Sequence, residues 1–534
     1  MNRREFLQRT GTVMSLIAAS QLSRASTVFI DRFQVDKRGV RYAEGVVFHD
    51  RNRSGKREAG DPGVSGVCVS NGRDVVKTDA QGRWRLPVTE DTILFVIKPS
   101  GWQVPLDEYN LPNYYYVHKP TGSPDSKYRG VEPTGSLPDS IDFPLLPQRE
   151  DAKFRMVLFG DPQPRNQTEV DYIAHDVVEQ AALDAAAQGA KFGMSLGDEM
   201  FDVLSLYESL NQTVGTIGLP WYNTVGNHDL NYDAPDNSTS TETFQRVFGP
   251  PHYAFNFAKV HFIVLNNVVW NGSKTGGYKG EITAQQLEFV KRDLEHVPLD
   301  RLVVIAMHIP IVDVENREDL YRLIEARPHT LSLSAHTHVQ EHHFLSSEDG
   351  WRGEEPHHHL NHATVCGSWW EGAPDERGIP HATMSDGAPN GYSIVEFDGA
   401  KYKVAFRPAN RPLNDQMNIW IPEQVSCSET ANTEVVVNVF AGSIRSIVDI
   451  RVGGGEWERM TNFEGYDPFF ARLKEIEAGP NPPPGLKLPK PSLTQHLWKA
   501  KLPSNLQVGT HVVDIRTTDM FGQSYSDRRL VRVI

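Results

Sequence analysis

Between Arg155 and Leu333, five short apolar runs each end in a turn that carries an acidic, amide or imidazole group. Gly160-Asp161-Pro162-Gln163 follows Arg155–Phe159, and Gly197-Asp198 follows Phe192–Leu196. Gly226-Asn227-His228-Asp229 follows Tyr222–Val225, His308 follows Leu302–Met307, and Ala335-His336-Thr337-His338 follows Leu331–Leu333. Val260–Leu265 is a sixth run of the same kind. Helical patterns lie between them. Thr168–Gln188 has apolar positions at helical spacing and stops at Gly189. Thr283-Ala-Gln-Gln286 reads as a capping box ahead of Leu287, Val290 and Leu294, and Asn316–Arg327 reads as another helix. Alternating strands and helices predict an α/β layered domain. Such sheets build sites outside the carboxyl ends of their strands, so the five turns are expected to converge on one rim. The glycines before Asp161, Asp198 and Asn227 suit sharp turns at the strand ends.

The flanks are different. From Tyr42 to about Leu146, Val46-Val47-Phe48, Val64–Val69, Trp84-Arg85-Leu86 and Ile93–Ile97 are β-prone runs separated by turn residues, which predicts a small β-sandwich. Asn110–Pro147 reads as a linker that packs on something else. From about Leu413 to Ile534, Thr433–Phe440, Ile447–Val452, Gln495–Leu502 and His511–Thr517 alternate in β fashion around a proline-rich Pro480–Pro491, predicting a second sandwich. At 534 residues the chain has room for three or four domains. We expect a leader over 1–25, a β-sandwich over 40–147, the α/β domain over 151–408 and a β-sandwich over 413–534.

The leader expectation rests on Arg3-Arg4-x-Phe6-Leu7, a short apolar stretch from Gly11 to Ala19, and Ser23-Arg24-Ala25. This resembles a twin-arginine export signal, with the export machinery as partner and the periplasm or exterior of a bacterium as destination. No stretch is apolar enough to span a bilayer. The net charge of −14, with no basic run, disfavours nucleic-acid and membrane-surface binding. Three cysteines, Cys68, Cys366 and Cys427, without CxxC spacing, exclude a disulfide framework and a cysteine-based zinc site.

Taken in order, the five turns resemble the motif set of the calcineurin-like metallophosphoesterases, in a bacterial exported branch with extra N- and C-terminal β-domains. The resemblance implies a four-layer α/β sandwich of β-sheets flanked by helices. It implies two divalent transition-metal ions, Mn, Fe or Zn. Asp161, Gln163, Asp198 and His338 would hold one, and Asp198, Asn227, His308 and His336 the other, with Asp198 shared. It implies hydrolysis of a small phosphorylated substrate, monoester or diester, by a bridging hydroxide. His228 would stabilise the phosphoryl charge and protonate the leaving oxygen, with Asp229 fixing its tautomer. Gln163 stands where many members have histidine, which shifts metal preference away from Zn. Phe201 stands where purple acid phosphatases carry a tyrosinate, so no Fe(III)–tyrosinate colour is expected.

Two weaker signals remain. Asp50, Asn52, Ser54, Glu58 and Asp61 place oxygen donors around Gly55 at a spacing that resembles a calcium loop; the other reading is a polar hairpin. His357-His358-His359, Trp369 and Trp370 are read either as a surface tract with packed aromatics or as a loop in which the tryptophans stack a sugar or base of the substrate. An exported adhesion or carbohydrate-binding protein on a degenerate phosphoesterase fold is the competing reading of the whole chain. It would be expected to have lost Asp198, Asn227 or His228. A nuclease is disfavoured by the acidic charge.

Overall fold

The computed structural model describes residues 39–483 and 485–534. The leader expectation therefore falls outside the described residues.

Two β-sheets carry the central part. The first has the order Trp221–Asn223, Phe192–Ser195, Lys153–Phe159, Gly391–Asp398, Lys401–Pro408; its first three strands are parallel and its last two antiparallel. The second runs Tyr253–Phe257, Val260–Val264, Leu302–Ala306, Thr330–Ser334, His357–Asn361, Glu341–Leu345, with four parallel strands inside antiparallel edges. An aromatic layer joins them. Tyr222 stacks on Phe255 with ring centroids 3.9 Å apart, and Phe154 and Phe192 meet Phe257 and Phe262. Large rings buried between sheets supply much of the apolar area that drives such packing.

Helices cover the outer faces. Gln167–Ile173 and Glu179–Gln188 form one rod, joined by a π-helical turn at Ala174–Val178. Asn166 caps it by accepting from the Glu169 N–H, and left-handed Gly189 (φ 63°) ends it. Its Ile173, Val177 and Ala181 share a core with Val157 and Phe159. On the other sheet, Ala284–Leu294 starts at Thr283, which accepts from the Gln286 N–H. The Gln286 side chain does not complete a capping box; it binds the backbone of Asn266 from both ends of its amide. Arg317–Ile324 follows Asn316.

Residues 41–147 form two four-stranded sheets. Asn110–Pro147 is not merely a linker: Tyr115–His118 and Phe143–Pro147 are strands of those sheets. The chain from Met417 onward forms a four- and a five-stranded sheet around Val437, Ile450, Trp498 and Ile515. Helix Pro468–Glu477 is added there, with Asp467 at its N-cap. No described helix is long and apolar enough to cross a membrane.

Candidate metal centre

The parallel strands of both sheets point their carboxyl ends at one place. There Asp161, Asp198, Asn227 and His308 are each at most 2 % exposed. His308 Nε2 is the hub: it lies 3.0 Å from Asn227 Oδ1, 3.3 Å from Asp198 Oδ1 and 3.1 Å from His336 Nδ1. His308 Nδ1 donates to the Leu196 carbonyl at 2.9 Å, which fixes the ring and turns Nε2 inward. His338 is held the same way, with Nδ1 on the Gly367 carbonyl and Nε2 3.3 Å from Asp161 Oδ2. Gln163 also sits in the cluster, with its amide nitrogen 3.0 Å from Asp198 Oδ2 and its oxygen toward the Cys366 thiol. In that orientation the N–H₂ faces Asp198, so ligation by Gln163 requires the amide to turn over.

The backbone here is strained. Asp161, Gln163, Asp198, His336 and His338 all have φ between 35° and 76°, the left-handed region that non-glycine residues rarely occupy. Each costs on the order of 1 kcal/mol and persists where the surroundings hold it, as at functional sites. The turns are thus made by the polar residues themselves more than by the preceding glycines. Gly226, in extended backbone, is needed for space: a Cβ there would come 2.1 Å from the Asp198 nitrogen.

The electrostatics suit a bound cation. Burial raises the Asp161 carboxyl to about 7 against the opposing pull of His308. Burial acts the same way on Asp198, but the neighbouring His308 overrides it and holds the carboxyl below its ordinary range. Burial would lower His308, yet Asp198 raises it to about 9. Burial, reinforced by His308, brings His336 down to about 3, and burial takes His338 to about 4. His308 Nε2 faces both Asp198 Oδ1 and Asn227 Oδ1. A cation among these oxygens and imidazole nitrogens would balance the buried carboxylate charge. The donor set of carboxylate, amide and imidazole suits a divalent transition metal. Among the described residues, Asp198, His308 and His336 form the one group of His, Cys, Asp or Glu gathered at ligand spacing.

His228 stands beside this cluster. Its backbone N–H donates to Asp198 Oδ1 at 2.8 Å, and its ring stacks on Phe201 at 4.5 Å. The partner of its Nδ1 is Asp202 Oδ1, at 2.6 Å, not Asp229. Burial would lower the His228 pKa, but the Asp202 hydrogen bond and the Asp198 charge raise it. Asp229 is fully buried and turned away; it accepts from Tyr207 Oη and from the N–H groups of Gly226, Glu199 and Met200, tying two strand-end loops together. Adjacency in sequence favoured Asp229, but residue 229 closes a 3₁₀ turn that points its carboxylate back at Gly226. The signal for Asp202 was its place in the loop that begins with Asp198.

Of the two tryptophans, Trp369 lies at the centre, its ring 4.9 Å from His338 and 5.4 Å from Phe201. Trp370 does not line the site. It is 4 % exposed in the core, with Nε1 donating to Asp176. His357–Asn361 is a buried interior strand, not a surface tract. In the Asp50–Asp61 segment the oxygen donors take local partners. Asp50 accepts from the N–H groups of Ser54 and Gly55, Asn52 donates to Glu58, Ser54 Oγ donates to the Lys56 carbonyl, and Asp61 accepts from the Glu58 N–H.

Fold and site together define an α/β sandwich with a buried candidate metal site at the carboxyl ends of its strands. The family described as N terminal of calcineurin-like phosphoesterase matches residues 51–129, and that described as C terminal of calcineurin-like phosphoesterase matches 359–525. Both matches are to parts of calcineurin-like phosphoesterases and support that superfamily of metal-dependent phosphoesterases for this chain. The strand-end turns from Asp161 to His338 lie between the two matches. No curated protein sequence matches the chain. Among solved structures, a purple acid phosphatase isolated from yellow lupin (Lupinus luteus) seeds is similar over 64 % of this chain and 67 % of its own, at 13 % identity and a TM-score of 0.36.

Proposed function

We propose that the chain hydrolyses the phosphate ester, mono- or diester, of a small molecule through a binuclear metal centre. The observation that carries this is the convergence of Asp198, Asn227 and His336 on His308 Nε2, with Gln163 against the other Asp198 oxygen and His338 against Asp161. Asp161, Gln163, Asp198 and His338 would hold one ion; Asp198, Asn227, His308 and His336 the other. Asp198 would be the shared ligand, because its negative charge can offset two cations at once. Two such ions supply Lewis acidity for the phosphoryl oxygens and a water that ionises near neutral pH.

The chain's own groups do the rest. His228 carries its proton on Nδ1 toward Asp202, which leaves Nε2 to face the phosphoryl group. When protonated there, it neutralises developing charge and passes a proton to the leaving oxygen. Asp202 holds the ring for that task. Phe201 and Trp369 close one side of the site with apolar surface, and Trp369 offers its ring to the organic part of the substrate.

The test is phosphate release from a panel of monoesters, diesters and nucleotides, on metal-loaded protein and after EDTA. Release that EDTA abolishes and Mn²⁺ restores supports the reading. No release from any ester by protein shown to hold metal would sink it and favour a binding role. We further propose export by the twin-arginine route; replacing Arg3 and Arg4 by Lys should then retain the protein inside the cell, and unchanged export would refute it.

A further inference from the structure

We propose that residues 119–134, an arm of the N-terminal sheets, are part of the active site, and that Tyr128 is a positioning residue for His228. This rests on the reading of His228 as the group facing the phosphate.

The arm is anchored before it reaches the site. The Lys119 ammonium, 5 % exposed, pairs with Glu242, 1 % exposed, and Ser123 Oγ donates to the other Glu242 oxygen. A buried ion pair with both partners hydrogen-bonded is costly to break, because either group alone would be an uncompensated charge. Farther along, Ser126 Oγ and the Lys127 N–H donate to the two oxygens of Asp233 at 2.9 and 2.7 Å. The Tyr128 carbonyl accepts from Thr243 Oγ1. Lys119, Ser123, Ser126, Lys127 and Tyr128 of the arm are thereby tied to Glu242, Asp233 and Thr243.

This fixing puts the Tyr128 hydroxyl 2.8 Å from the backbone carbonyl of Asp202, to which it donates. Asp202 is the residue that holds His228 Nδ1. Its φ of 61° is left-handed, and its side chain is 38 % exposed, so packing alone does not hold it there. A strained conformation persists when bonds from outside impose it. The Tyr128 bond reaches the loop from another part of the chain. The series Tyr128, Asp202, His228 therefore carries the arm's rigidity to the imidazole. A second consequence is that the N-terminal region is not a detachable appendage.

The experiment uses full-length, metal-loaded protein. Tyr128→Phe keeps the ring and removes the donor. We expect kcat on an alkyl phosphate to fall on the order of tenfold, with metal content and KM unchanged, because a loosened proton donor is misplaced in the transition state. Nitrophenyl phosphate, whose leaving group needs little protonation, should lose less than about threefold. Adding Tyr128→Phe to Asp202→Asn should cost nothing further, since both act through one residue. Equal losses on both esters, or additive losses, would overturn the proposal. Amide exchange across residues 200–204 reads the arm without turnover. Tyr128→Phe should accelerate it at least about tenfold there and leave other segments unchanged. Unchanged exchange there refutes the arm even if the phosphoesterase reading stands. If wild-type protein releases no phosphate but exchange is accelerated, the arm's hold on the loop stands and the phosphoesterase reading fails.

Discussion

The chain has two histidine-rich stretches that look alike in sequence and differ in every physical respect. His336 and His338 sit in a turn past a strand end, with left-handed backbone. His357, His358 and His359 sit inside a regular, fully buried strand. In the first stretch, with His308, nitrogens face carboxylate oxygens: His308 reaches Asp198 and His338 reaches Asp161. In the second, both ring nitrogens of each histidine are taken up by neutral partners. His357 bonds Thr330 and Ser332, His359 bonds Ser332 and Ser334, and His358 bonds Tyr402 and His342. Imidazoles that face carboxylates suit a metal site, whereas imidazoles saturated by hydroxyls belong to a core. The serines and threonine come from alternate positions of Thr330–Ser334, so one strand's hydroxyl face reads its neighbour's imidazole face.

The largest effect expected from this difference is on turnover. Asp198→Ala should remove metal from the His336 side and lower kcat by at least about 10³-fold, since a shared carboxylate is lost. The melting temperature of the metal-loaded protein should fall, because a metal ligand and the partner of His308 are lost together. Two metals still bound at near-normal rate would erase the contrast. Next, His228→Ala should cost about 10²–10⁴-fold in kcat with metal content intact. Asp202→Asn should act in the same direction, whereas Asp229→Asn should mainly lower stability. The reverse ranking of Asp202 and Asp229 would restore the reading from adjacency.

On the other stretch, His359→Ala should leave metal content and kcat unchanged and cost about 2–4 kcal/mol of stability. It strips partners from Ser332, Ser334 and the Ile311 N–H and opens a cavity. Urea unfolding measures this; metal loss without destabilisation would contradict it. Buried histidines in and beside this stretch make the fold acid-sensitive. Burial holds His342 and His357 at about 3 and His362 at about 4, below the ordinary 6.5. Between those values the unfolded chain binds more protons than the folded one. Their stabilisation is therefore complete above pH 6.5 and declines as pH falls toward 4, by up to about 1.4 kcal/mol per unit for each histidine. A urea midpoint that stays flat or rises from pH 7 to 5 would contradict it. The smallest effect is expected at Asp50–Asp61, whose oxygens are spent locally: millimolar calcium should move the melting temperature by less than about 1 °C, and a rise of several degrees would restore the calcium reading.

The strand-end turns were legible because each pairs an apolar run with a polar group, a local pattern that survives without coordinates. Their convergence followed from the parallel topology. What sequence could not show was orientation. Asp202 and Asp229 lie in equivalent loops, and only the backbone turn decides which faces His228. Trp369 and Trp370 are adjacent, yet the left-handed φ of 60° at Trp369 sends one toward His338 and the other into the core. The edge strand Tyr253–Phe257 was missed because Ala258, a non-glycine residue, makes its reverse turn at φ 48°. The long reach from Tyr128 to Asp202 has no sequence signature at all.

On the proposed function, the cluster around His308 would hold two divalent ions and the buried histidine strand none. Anomalous diffraction from crystals grown with Mn²⁺ or Zn²⁺ tests this directly. Two peaks about 3.5–4 Å apart on either side of Asp198, and none at His357–His359, is the predicted result. A lone peak, no peak at Asp198, or a peak on the His357–His359 strand would contradict it.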